Sequence, residues 1–260
     1  MNRPRKRFGQ HFLRDPNIID RLVRAIDPRP GERFVEIGPG EGVLTAPLLA
    51  TGALVDAVEI DRDLAAALPG RCPGALTVHT GDALAFDFAT LGAAPGALRL
   101  AGNLPYNIST PLLFHLLAAR GAFRDLHVML QKEVGDRMAA AAGSDAYGRL
   151  SVAMAVRCRV ERLFVIRPGA FFPPPKVDSV FLRLTPHAGN PFGIADWATF
   201  DAVLARAFGQ RRKRLGTSLR PLLPEAAITA AGVDPGLRPE QLPPAGFAAL
   251  GNARARLASP

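Results

Sequence analysis

Arg33-Phe34-Val35-Glu36-Ile37-Gly38-Pro39-Gly40-Glu41-Gly42 is a short apolar run that opens into three glycines within five residues. The run reads as a buried strand, and the stretch 42–49 that follows reads as a helix. Glycines at such a junction let the backbone approach a ligand at the strand's carboxyl end. Working outward, the pattern predicts strands at 54–60, 76–80 and 98–102, with helices at 16–26 and 64–68. Alternation at this spacing implies right-handed crossovers and a mostly parallel sheet with helices on both faces, a Rossmann-like α/β domain. Later strands are expected at 125–130, 160–166 and 179–184. The last two are separated by the proline-dense stretch 168–176, read as a rigid extended connection. Residues 186–194 have the composition of a linker, and from Trp197 onward the pattern is helical with Gly and Pro breaks. Two domains are therefore expected, 1–186 and a small all-α domain at 187–260.

With 260 residues, 48% of them hydrophobic and 21% charged, the chain can bury one full core and a smaller second one, which excludes a peptide, a fibre or a disordered tail. No stretch reaches the roughly 18 to 20 apolar residues that a membrane span needs. The basic start leads into Arg14, Asp15 and Asp20 rather than an apolar signal core, so a cytoplasmic protein with no membrane partner is expected. Cys72 and Cys158 stand far apart without metal-ligand spacing and are read as reduced core residues, with no metal. The net charge of +9 is segregated. Residues 1–14 hold five basic and no acidic side chains, 201–260 hold nine against four, and the stretch between is close to balance. Such segregation suggests a polyanionic partner.

The chemistry collects at the predicted strand ends. Glu59 lies 19 residues after Gly40, where an acid accepts both hydroxyls of an adenosine ribose. A dinucleotide fingerprint wants its third glycine one residue later than Gly42, so a nicotinamide site is the weaker reading and S-adenosylmethionine the stronger. Asp82, in Gly81-Asp82-Ala83, suits an adenine amine, or else a helix N-cap. Asn103-Leu104-Pro105-Tyr106 then offers an amide oxygen, a carbonyl preceding proline and an aromatic face around one small space. That set suits an exocyclic amine on a planar base: Asn103 and the Leu104 carbonyl accept its hydrogens while Tyr106 stacks. The alternative is an ordinary strand-end turn. Arg211, Arg212 and Lys213, in Gln210-Arg-Arg-Lys-Arg214, are read as contacts to RNA phosphates, against the alternative of a solvated helix face.

Taken with 5–13, 59–61, 130–133, 147–151, 171–179 and 208–213, these motifs make the chain resemble the small-subunit (16S) ribosomal RNA adenine N6,N6-dimethyltransferase family. The resemblance implies an S-adenosylmethionine-dependent methyltransferase domain followed by an RNA-binding helical one. It implies cofactor contacts from His11, Leu13, Gly38, Glu59, Asp82 and Asn103, and target-base stacking by Tyr106 and Phe171, with Phe172 packing. The family commonly has Asn where His11 stands. The implied reaction dimethylates N6 of two adjacent adenosines in the 3′-terminal hairpin loop of 16S rRNA in the immature 30S subunit, with an added role in subunit biogenesis and a monomeric enzyme. Two other readings stay open: an antibiotic-resistance methyltransferase acting on large-subunit RNA, and a non-catalytic assembly factor. The 171–179 match and the C-terminal segment favour the first reading.

Overall fold

Asp15 shows how the first helix starts. Its Oδ1 accepts from the backbone N–H of Asn17 (2.9 Å) and Ile18 (3.3 Å), and Pro16 fills the position where no N–H is needed. Helix α1 (Pro16–Ile26) then buries Leu22 and Ile26 and stops at Asp27 in a left-handed conformation. The computed structural model describes residues 10–258, so the basic residues Arg3, Arg5, Lys6 and Arg7 lie outside the described residues.

Strands β2 (Arg33–Ile37), β3 (Leu54–Glu59), β4 (Leu76–Thr80), β5 (Leu98–Asn103) and β6 (Phe123–Gln131) pair in parallel. The near-continuous apolar runs of β2, β3 and β5 fit strands covered on both faces. Strand β9 (Ser179–Pro186) adds antiparallel to β6, and β7 (Cys158–Ile166) lies outside it, giving the order β4-β3-β2-β5-β6-β9-β7. Helices α2 (Thr45–Ala50), α3 (Arg62–Arg71), α4 (Ser109–Ala118) and α5 (Lys132–Met138) lie along the chain between strands. The helix expected from Gly42 begins at Thr45 instead, because Gly38, Gly40 and Gly42 all have positive φ and keep the junction in a turn. Within 168–176 a two-residue strand, β8 (Phe171–Phe172), pairs antiparallel with β1 (Phe12–Leu13), an element the proline count did not announce.

The chain divides into two compact units. One takes residues up to Gly135 together with Glu161–Pro186; the other takes Asp136–Val160 and the chain from His187 onward. The expected single division at 186/187 therefore misses the excursion 136–160. Within the second unit, α6 (Arg149–Ala155) packs on α7 (Trp197–Gly209) and α10 (Pro244–Ala258), to which α8 (Leu215–Leu219) and α9 (Glu225–Ala230) are joined in turn. The buried Tyr147 hydroxyl donates to the Leu242 carbonyl (2.8 Å), and Arg157 makes a bidentate bond to Asp201 (2.9 and 2.8 Å) with its guanidinium over the Trp197 ring. Among the described residues no helix is long and apolar enough to cross a membrane. Cys72 and Cys158 are buried free thiols.

Candidate active site

The carboxyl ends of β2, β3, β4 and β5 open onto one cavity in the first unit, walled also by His11, Phe12 and Leu13 of the β1 segment. Its floor is the glycine turn. Gly38 N–H donates to the Val58 carbonyl (2.9 Å), and Gly40 N–H donates to Glu59 Oε2 (3.1 Å). Two of the glycines also exclude side chains by space. A Cβ on Gly40 would sit 3.1 Å from the Phe12 ring, and one on Gly42 would sit 2.4 Å from Cys72 Sγ.

Glu59 is 4% exposed, and its other oxygen accepts from Asp61 N–H (2.9 Å). Burial pushes its carboxyl above the ordinary range against the pull of those two bonds. The side chain expected to meet a ribose thus also ties the glycine turn to the end of β3. Asp82 is exposed just beyond β4; one oxygen accepts from Leu84 N–H (2.9 Å), the turn-forming alternative, and the other carries no such bond among the described residues.

Asn103 ends β5. Its Nδ2 donates to the His11 backbone carbonyl (3.0 Å), which can only accept, so the amide is oriented with Oδ1 on the other side. That oxygen is buried without a hydrogen-bond partner among the described residues. Leu104 follows, fully buried, its N–H held by the Met129 carbonyl (3.1 Å). The Tyr106 hydroxyl shares a 2.6 Å hydrogen bond with the buried Ser179 hydroxyl, and burial pushes the phenol's pKa up. The His11 ring is stacked against Tyr106 with centroids 5.6 Å apart and planes at 27°. His11 Nδ1 donates to the Pro173 carbonyl (2.8 Å), which fixes the ring on that wall.

His11, Leu13, Gly38, Glu59, Asp82, Asn103, Leu104 and Tyr106 are brought together; Phe171 is not among the residues lining the cavity. It is 4% exposed, paired with Leu13, and packed in the core with Leu22, Met129 and Phe181. Phe172, expected to pack, is 53% exposed. Phe171 is the buried ring and Phe172 the exposed one because successive side chains of a strand point to opposite faces, and here the inward parity falls on Phe171. Arg211, Arg212 and Lys213 belong to the second unit, exposed in the turn between α7 and α8 rather than on a helix face. Two residues, Glu36 on the wall and Ser179 behind Tyr106, carried no role in the sequence reading. Glu36 is a carboxylate inside an apolar strand, itself an irregularity that marks it; Ser179 lies 73 residues from the tyrosine it holds, and no local pattern links them.

The family profile described as "Ribosomal RNA adenine dimethylase" matches residues 1–253. A protein of Pseudomonas fluorescens named ribosomal RNA small subunit methyltransferase A is 55% identical over 251 residues, 96% of this chain and 93% of that protein. Its namesake in Pseudomonas aeruginosa is 52% identical over 258 residues, 98% and 96% of the two chains. Among solved structures, a dimethyladenosine transferase from Plasmodium falciparum superposes with a TM-score of 0.80 at 28% identity, over 92% of this chain and 96% of that one. The 23S rRNA methyltransferase ErmE gives 0.69 at 25% identity, over 94% and 99%.

Proposed function

The chain belongs to the ribosomal RNA adenine dimethylase family, and from that premise we propose that it dimethylates N6 of two adjacent adenosines in the 3′-terminal hairpin loop of 16S rRNA, using S-adenosylmethionine. The observation that carries the reading is Asn103 Oδ1, a buried acceptor on the cavity wall with no partner of its own. An unsatisfied buried acceptor costs about 1 to 3 kcal/mol, which the N–H groups of an arriving amine would return.

The donor set fits S-adenosylmethionine. Glu59 would take the ribose hydroxyls, the uncommitted oxygen of Asp82 the adenine amine, and the backbone at Gly38 would pass close to the rest, with His11 and Leu13 on the facing wall. When bound, that cofactor supplies a methyl group on a positively charged sulfur that leaves as a neutral thioether. The remaining work falls to the chain. An adenine amine is a poor nucleophile because its lone pair is shared with the ring. Asn103 Oδ1 and the Leu104 carbonyl would draw its two hydrogens out of the ring plane and return electron density to nitrogen, while Tyr106, fixed by Ser179 and His11, aligns the base. Positioning of this kind is worth on the order of 7 to 11 kcal/mol, so no strong base is required.

The reading extends to a monomeric cytoplasmic enzyme acting on immature 30S subunits, with Arg211, Arg212 and Lys213 of the helical unit on RNA phosphates. Small-subunit relatives above 50% identity, against 25% for the 23S enzyme, support the small-subunit target over the antibiotic-resistance reading. Primer extension on ribosomes from a strain lacking the small-subunit activity, complemented with this chain, tests the target: stops at two adjacent adenosines near the 16S 3′ end are expected, and a stop in 23S rRNA alone would refute it. In single-turnover assays at saturating cofactor, Asn103→Ala should slow methyl transfer far more than it weakens binding of the particles. Equal losses in both would remove Asn103 from the chemistry.

A further inference from the structure

We propose that Phe172, backed by Arg14, is a stacking platform at the cavity rim for the nucleotide next to the target adenosine. The inference rests on the reading that the cavity receives a base from RNA. Exposure alone would not carry it, since single exposed apolar side chains are ordinary. Phe172 is, however, the aromatic member of the exposed large apolar set among the described residues, and its position is specific. It pairs across the β1–β8 ribbon with Phe12, which lines the cavity. The next residue, Pro173, accepts through its carbonyl from His11, also on the wall. The ring is therefore tied to two wall residues, Phe12 by strand pairing and His11 through Pro173, without lining the cavity itself. Arg14 backs the ring: its guanidinium lies over it, 5.3 Å from the centroid, and its Nη2 is held at 2.9 Å by Glu41, a wall residue.

An aromatic ring backed by a guanidinium leaves a face that matches a nucleobase, and it does so without reading sequence. A strand that delivers one base into the cavity must carry the adjoining nucleotide over the rim, so the two rings, Tyr106 inside and Phe172 outside, suit two different bases of one strand.

The test is methylation of unmethylated 30S particles at saturating cofactor, with particle concentration varied. Phe172→Ala and Phe172→Leu should each raise KM for particles about fivefold to a hundredfold, the effect of losing one base–aromatic stack. The rate at saturating particles, the cofactor affinity and the melting temperature should stay at wild-type values, and Phe172→Trp should restore the wild-type KM. A wild-type KM for Phe172→Ala would overturn the platform, as would Phe172→Leu performing as well as Phe172→Trp, since a packing role needs no π-face. Asn103→Ala, run alongside, separates the two readings. If it alone is impaired, the cavity reading stands and the platform falls; if it methylates normally, the cavity reading itself has failed.

Discussion

Glu36 is the residue whose burial is hardest to reconcile with its charge. It is 2% exposed, with Thr45 Oγ1 donating to it at 2.6 Å and the Glu59 carboxylate nearby. Burial pushes its carboxyl from 4.5 to about 7, the Thr45 bond resisting and the Glu59 charge assisting. A raised folded-state value means that between about pH 4.5 and 7 the native chain keeps a proton the unfolded chain has released. Its contribution to stability is thus full below that window, falls as pH rises through it, and is flat above, by at most about 3 kcal/mol. Glu36→Gln should remove this slope and be more stable than wild type above pH 7, as measured by urea melts at pH 5, 6, 7 and 8. Parallel stability profiles for the two proteins would contradict the assignment. At this scale the placement of much of the candidate site was legible: Glu59 and Asn103 end strands, Asp82 lies two residues beyond one, and strand ends are where such folds bind ligands. The parity of Phe171 and Phe172 was not legible, because a two-residue strand has no alternation to read.

Elements, rather than residues, explain why the glycine turn tolerates so little change. Gly42 combines a φ of +84° with a Cβ direction that runs into Cys72 Sγ at 2.4 Å and Leu68 Cδ1 at 3.0 Å, both carried at or next to the end of α3. The turn and that helix are therefore packed as one body, with Cys72 Sγ also 3.6 Å from the Gly42 carbonyl oxygen. Gly42→Ala should destabilise by about 2 to 4 kcal/mol through overpacking and backbone strain together. Cys72→Ala removes the nearer obstacle and leaves the strain, so the double variant should be less destabilised than the two single losses added, by about 1 kcal/mol in thermal or urea unfolding. Strict additivity would show that α3 moves aside and that the turn stands alone. Strands β2 and β3, which flank this turn along the chain, were readable because each is a short, mainly apolar run between turn residues. The excursion 136–160 was not, because its membership of the helical unit rests on long-range contacts that no local pattern announces, among them Tyr147 with Leu242, Gly143 with Glu240 and Arg157 with Asp201.

Over the whole molecule, the most informative sequence feature beyond the motifs was where the charge lies, and the structure describes one end of it. Arg211, Arg212 and Lys213 are exposed in a turn whose backbone is closed by Lys213 N–H to the Gln210 carbonyl at 2.8 Å. A turn projects its side chains more widely than a helix face, which suits contact with several phosphates. Arg211 has a second task, since its Nη2 donates to the Asp145 carbonyl at 3.1 Å, so its removal also loosens the helical unit locally. The measurement must separate these effects. Each phosphate contact contributes about 0.7 to 0.9 to the slope of log K against log salt. Replacing all three residues with Ala should therefore flatten the salt dependence of binding to unmethylated 30S particles by about 2 to 3, leaving cofactor affinity unchanged. The double variant Arg212→Ala with Lys213→Ala spares the Asp145 contact and should flatten the slope by about 1.4 to 1.8, with no change in melting temperature. Weaker binding with an unaltered slope would mean that these residues act through the fold of the helical unit, and the phosphate contacts would have to be sought elsewhere on the chain.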